Sequence, residues 1–133
     1  MDLKKQNYIP TQKAFRMWRK CMKLGQLTGC HQMPERSFFI KGYQLPVCAR
    51  CCGVILGYLF AVPSFLFFRF YALLSILGCL SMLTDWGLQA LNLKPSTNIR
   101  RFITGILGGY GIMTLQLGLL KELLKIFQSF IKR

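Results

Sequence analysis

Apolar positions fall into long uninterrupted blocks, and polar positions gather between them and at both ends of the chain. The longest block is residues 51–93, CCGVILGYLFAVPSFLFFRFYALLSILGCLSMLTDWGLQALNL. A straight helix of these 43 residues would reach about 64 Å, twice a hydrocarbon core of about 30 Å. The block therefore predicts two spans that fold back on each other. Arg69 is the only charge near its middle, and Pro63-Ser64 is the only pair of helix breakers. Spans over 51–68 and 71–91 with a turn around Arg69 follow, and Pro63 is expected to kink the first span near its far end. LKPSTNIRR, residues 93–101, reads as a loop in which Pro95 stops one helix and Ser96, Thr97 or Asn98 caps the next. A third block, 102–120, is again long enough to span.

The flanking segments have a different period. In the tail, 121–133, Leu123, Leu124, Ile126, Phe127, Phe130 and Ile131 fall largely on one side, and Lys121, Lys125 and Lys132 mostly on the other. This predicts an amphipathic helix at the membrane interface. Residues 1–29 are polar and basic, with Ala14, Phe15, Met17, Trp18, Cys21, Met22 and Leu24 approximating a helical stripe. They read either as an interfacial helix on anionic headgroups or as a solvated basic arm. Residues 30–50 carry the Cys/His segment. The expected fold is all-α, one integral membrane domain over 1–133 with about three transmembrane helices.

Composition sharpens this picture. Hydrophobic residues make up 53 % and charged residues 17 %, yet the net charge is +14. The cations lie mostly outside residues 51–120. A nucleic-acid binder of this charge would spread them over a polar surface, so that class is excluded in favour of an apolar protein with positive flanks. No apolar h-region follows the early positive charges, and a cleavable signal peptide is not expected. With three spans, residues 1–50 and the second loop share a side and carry ten and three basic residues. The excess predicts a multi-pass protein of the cell membrane with a cytoplasmic N-terminus. Gly53 and Gly57, like Gly105 and Gly109, are four apart. Such pairs predict close helix contact, with a membrane-protein partner or a second copy as the expected neighbour.

Alternating direction brings three polar places to one face: the Cys/His cluster before span one, Asp85 and Gln89 at the end of span two, and Ser96-Thr97-Asn98 with Arg100-Arg101 before span three. Asp85 lies about 9 Å inside its helix end. A carboxylate there needs a partner, and Arg100, Arg101 and Arg50 are available.

The cysteines admit three readings. Cys30, His31, Cys48 and Cys51 can bind zinc, with the ligand spacing Cys48-Ala-Arg-Cys51; Cys52 or water replaces one ligand if adjacent Cys30 and His31 do not both reach the ion. Cys48 and Cys51 can instead form a redox pair at a helix N-terminus. Or the cysteines pack as small apolar residues. Glu35, Arg36, Ser37, Lys41 and Arg50, with the capping residues of span three, suggest an anion pocket for which lipid phosphate is the natural candidate, or plain headgroup anchoring.

The ordered motifs Cys30-His31-Gln32, Pro34-Glu35-Arg36-Ser37-Phe38, Gly42, Pro46-Val47-Cys48-Ala49-Arg50-Cys51 and Gly53 resemble the signature of a prokaryotic family of small membrane proteins catalogued as a domain of unknown function. The resemblance continues through Asp85, Gln89, Ser96-Thr97-Asn98, Arg101, Gly105 and Gly109, over roughly residues 28–115. It implies an integral membrane protein and brings no activity with it. No P-loop, dinucleotide fingerprint or HExxH motif is present in the chain. Three functions are compatible with this reading. The first is a membrane protein with a Cys/His metal site beside a polar pocket on the cytoplasmic face. The second is a thiol-disulfide oxidoreductase using Cys48 and Cys51. The third is a small transporter or assembly subunit using Asp85.

Overall fold

The computed structural model describes residues 12–67, 72–93 and 95–132. It is helical apart from one short hairpin: α1 Gln12–Leu27, a 3-10 turn Pro34–Arg36, β1 Phe39–Ile40, β2 Tyr43–Gln44, α2 Ala49–Phe67, α3 Ala72–Ala90 and α4 Asn98–Ile131. The helices α2, α3 and α4 are each long and apolar enough to cross a membrane. Their bounds lie within two residues of the predicted spans where those end at 51, 68, 71 and 91. The predicted turn around Arg69 lies outside the described residues. Pro63 sits inside α2, near its far end as expected.

Large apolar side chains face outward along the spans. Leu66 is 74 % exposed, Phe67 82 % and Leu73 71 %. In water such a surface would be untenable, whereas a hydrocarbon solvent accepts it and leaves helix contact to small residues and side-chain hydrogen bonds. The interior follows that rule. The helices α2 and α3 each pack along α4. A Cβ at Gly105 would stand 2.5 Å from the Arg50 carbonyl oxygen, and one at Gly109 would stand 2.6 Å from that of Val54. Gly53 and Gly57 meet the α4 backbone in the same way. The two glycine pairs, expected to meet a partner protein or a second copy, thus face each other inside one chain. Their backbones approach too closely to leave either pair free.

Hydroxyl pairs add to these close helix contacts. Ser75 and Thr114 are 2.7 Å apart between α3 and α4. Ser64 and Tyr110 are 2.7 Å apart between α2 and α4.

The helix ends are set by backbone chemistry. Thr97 is the N-cap of α4, its side chain accepting from the Arg100 amide at 3.3 Å. The C-terminus of α3 is closed by Asn92 in the left-handed region, φ 55°. The Leu93 amide donates to Leu88 at 3.0 Å and the Asn92 amide to Gln89 at 3.2 Å, a Schellman closure. The stop expected from Pro95 therefore comes earlier, at Asn92. The expected third span and amphipathic tail form a single helix of 34 residues, about 51 Å long, so α4 exceeds the hydrocarbon thickness.

The segment before α2 lies at the end of the bundle where α2 starts, α3 ends and α4 starts. Its hairpin turn, Lys41-Gly42, has φ 50° and 82°. Two left-handed residues in a two-residue loop suit the twist of antiparallel strands. Amphipathic α1 is tied to this segment by Trp18, whose indole donates to the Gln44 carbonyl at 2.8 Å.

Candidate metal centre

Three sulfurs converge at the start of α2. Cys48 immediately precedes the helix and Cys51 lies one turn along it, so both side chains emerge on one side. Cys30 reaches them from the preceding segment. It is buried, and its sulfur accepts from the Cys48 backbone amide at 3.1 Å. The three Sγ atoms lie within 4.8 Å of one another.

Two glutamines hold Cys30 in place. The Gln32 amide donates to the carbonyls of Met22 at 2.7 Å and Pro46 at 2.6 Å. The Gln44 amide donates to the Gln32 carbonyl at 2.6 Å. Gln32 itself has φ 48°, a left-handed bend that turns the chain just past the cysteine.

The expected fourth ligand is placed differently. Cys30 turns inward, and the adjacent His31 is left exposed, outside the three-sulfur group. His31 still lines the same cavity of about 240 Å3. Cys52 is directed to the Val47 carbonyl at 3.8 Å, about 100° around the helix from Cys51. Cys21 is exposed on α1, and Cys79 packs in α3 near the Gly108 carbonyl.

A hydrogen bond from the Cys51 thiol, chiefly, holds the Cys48 thiol down at about 5, against the opposing effect of burial. A thiolate is the form that binds metal.

Beside the sulfurs lies a cationic network. The Asp85 carboxylate is 2 % exposed and pairs with Arg50 from α2 at 2.6 Å and Arg100 from α4 at 2.6 Å. The Ser96 hydroxyl donates to it at 2.9 Å. Of the three arginines offered by the sequence, Arg101 does not make this pair. It donates instead to Asn98 Oδ1 at 3.1 Å. With the Gln89 amide oxygen turned towards the guanidiniums, that oxygen accepts from Arg101 at 2.7 Å and Arg36 at 3.3 Å. Asp85 and Gln89, four apart on α3, thus gather arginines from three other segments.

Ser37 serves the backbone: its hydroxyl donates to the Met33 carbonyl at 2.9 Å, and its own carbonyl accepts from the Asn98 amide at 3.4 Å. Glu35 is exposed. Lys41 lies apart from the cavity, on the hairpin turn beside α1. The cavity joins Cys30, Cys48 and Cys51 to Arg36, Arg50, Trp86, Gln89 and Arg101.

Residues 30–115 match a family described as a predicted membrane protein, DUF2085. The chain belongs to this family. The matched stretch contains the three clustered cysteines and every arginine of the network, and it leaves out α1 and the end of α4. An uncharacterised protein of Methanocaldococcus jannaschii is 35 % identical over 94 residues, covering 63 % of this chain and 58 % of that protein. The chain thus spans less than two thirds of that relative's length. An uncharacterised protein of Methanothermobacter thermautotrophicus is 34 % identical over 101 residues, covering 71 % of this chain and 88 % of that protein. No solved structure matches the chain.

Proposed function

We propose that this DUF2085 member is a cell-membrane protein that holds a divalent metal, zinc by preference, in a three-thiolate site at its cytoplasmic face. One observation carries the reading: Cys30, Cys48 and Cys51 present their sulfurs within 4.8 Å of one another. Thiolates 2.3 Å from one tetrahedral ion stand roughly 3.5–4 Å apart, a spacing this cluster reaches with small side-chain movements. Three protein ligands leave a fourth position, which His31, water or a ligand in the cavity fills. That arrangement is the one found in metal sites that bind or activate something. The cytoplasmic placement rests on the basic excess of residues 1–50 and the second loop, in a compartment where thiols stay reduced.

Metal analysis and thiol counting on protein purified anaerobically in detergent test this reading. The expected result is one metal ion per chain, lost from Cys48→Ser and from Cys51→Ser. A metal-free protein with two thiols missing as a disulfide would replace it with the dithiol oxidoreductase reading. Metal retained in both variants would remove it.

A further inference from the structure

The arginine network has more charge than it can satisfy internally. Arg50 and Arg100 share one buried carboxylate, Asp85, while Arg36 and Arg101 meet the neutral Gln89 amide. Glu35, the other acid in this region, is exposed. A divalent ion on three thiolates adds one negative charge, so at least two positive charges remain uncompensated with or without the metal. Arg101 is 8 % exposed, and its Nε, like that of Arg50, is buried without a hydrogen-bond partner among the described residues. Buried donors of this kind are costly unless an acceptor completes them. Both arginines line the 240 Å3 cavity.

The cavity adjoins a second one. A groove of about 480 Å3 runs along α3 past Ile76, Leu80 and Leu83, and its lining shares Arg50 and Trp86 with the polar cavity. Its walls are almost wholly apolar, and Ile76, Leu80 and Leu83 are exposed. From Trp86 to Ile76 the groove follows about 15 Å of helix, half the hydrocarbon thickness. Trp86, 56 % exposed, stands at the junction, a place suited to an indole at a membrane boundary.

We propose that this face binds a phosphomonoester lipid, its dianionic headgroup between Arg36 and Arg101 in the cavity and one hydrocarbon chain in the groove along α3. Two uncompensated charges match a phosphomonoester better than a singly charged diester, and guanidiniums bind phosphate oxygens in pairs. The proposal shares its cavity with the metal reading and does not depend on the ion. An inorganic phosphate offers the same headgroup chemistry without the chain, and the experiment separates the two.

The full chain is reconstituted in phosphatidylcholine nanodiscs containing a minor fraction of phosphatidic acid or phosphatidylglycerol, and co-purified lipid is measured by mass spectrometry together with metal content. The expected result is enrichment of phosphatidic acid over phosphatidylglycerol, reduced about tenfold or more in Arg101→Gln and in the exposed Arg36→Gln. Arg36→Gln keeps the test valid should Arg101→Gln fail to fold. Leu80→Trp, which fills the groove, lowers lipid retention and leaves inorganic phosphate binding unchanged. Stripping the metal from the parent protein with a chelator leaves the lipid bound. Retention unaffected by Arg36→Gln, equal retention of the two anionic lipids, or inorganic phosphate binding as tightly as the lipid would each overturn the proposal. So would loss of the lipid together with the metal.

Discussion

Asp85 neutralises guanidiniums brought by two different helices, and its own carboxylate is almost wholly shielded from solvent. Removing its charge leaves Arg50 and Arg100 facing a neutral amide. Asp85→Asn should cost about 3–5 kcal/mol, read as a fall in the thermal unfolding midpoint in detergent. Ser96→Ala removes one hydrogen bond to the same carboxylate and should cost only about 1–3 kcal/mol. Equal stability of Asp85→Asn and the parent protein would mean that the ion pairs are not formed. A paired Asp85 was legible in the sequence, since a carboxylate one to two turns inside a span requires a partner. The choice among Arg50, Arg100 and Arg101 was not, because it depends on which guanidinium the α4 helix turns towards α3. The clamping role of Gln32 was also hidden. Its acceptors, Met22 and Pro46, are backbone carbonyls, and any residue type supplies those.

At the scale of elements, glycine decides which helices touch. Gly105→Leu forces a side chain against the α2 backbone at Arg50 and Gly53. Overpacking of this kind costs at least about 1–3 kcal/mol, and here backbone rather than a flexible side chain must yield. Loss of the monodisperse peak in detergent gel filtration is the expected readout. Gly87 is the internal control, because a Cβ there meets nothing within 4 Å. Gly87→Ala should be neutral or stabilise by about 0.5–1 kcal/mol through helix propensity. The reverse ranking of the two variants would contradict the packing described. The spans were readable because their apolar runs far outlast any soluble strand or helix of ordinary length. The glycine pairs were readable as contact points, but not their partner, since the same spacing serves contact within a chain and between chains. The hairpin at Lys41-Gly42 and the Asn92 cap were missed. Each rests on one or two left-handed residues in segments whose basic and polar composition suggested only loop.

For the whole molecule, the consequence of three antiparallel crossings is that thiols, arginines and α1 occupy one face and the end of α4 the other. Surface labelling tests the crossing. In a variant whose native cysteines are replaced by serine, Glu35→Cys should react with an impermeant maleimide only after cells are permeabilised, and Gln128→Cys in intact cells. Reaction of both from the same side would mean that α4 does not cross. The common face of the three motifs was legible from alternation alone, whichever way up the protein sits. The exclusion of His31 from the sulfur cluster was not, because it depends on how the chain bends at Gln32. The metal reading stands on three cysteine sulfurs holding one ion. X-ray absorption at the metal edge of the anaerobically purified protein measures this most directly. Three sulfur scatterers at about 2.3 Å and one lighter ligand at about 2.0–2.2 Å are expected. A first shell of oxygen and nitrogen alone would contradict it.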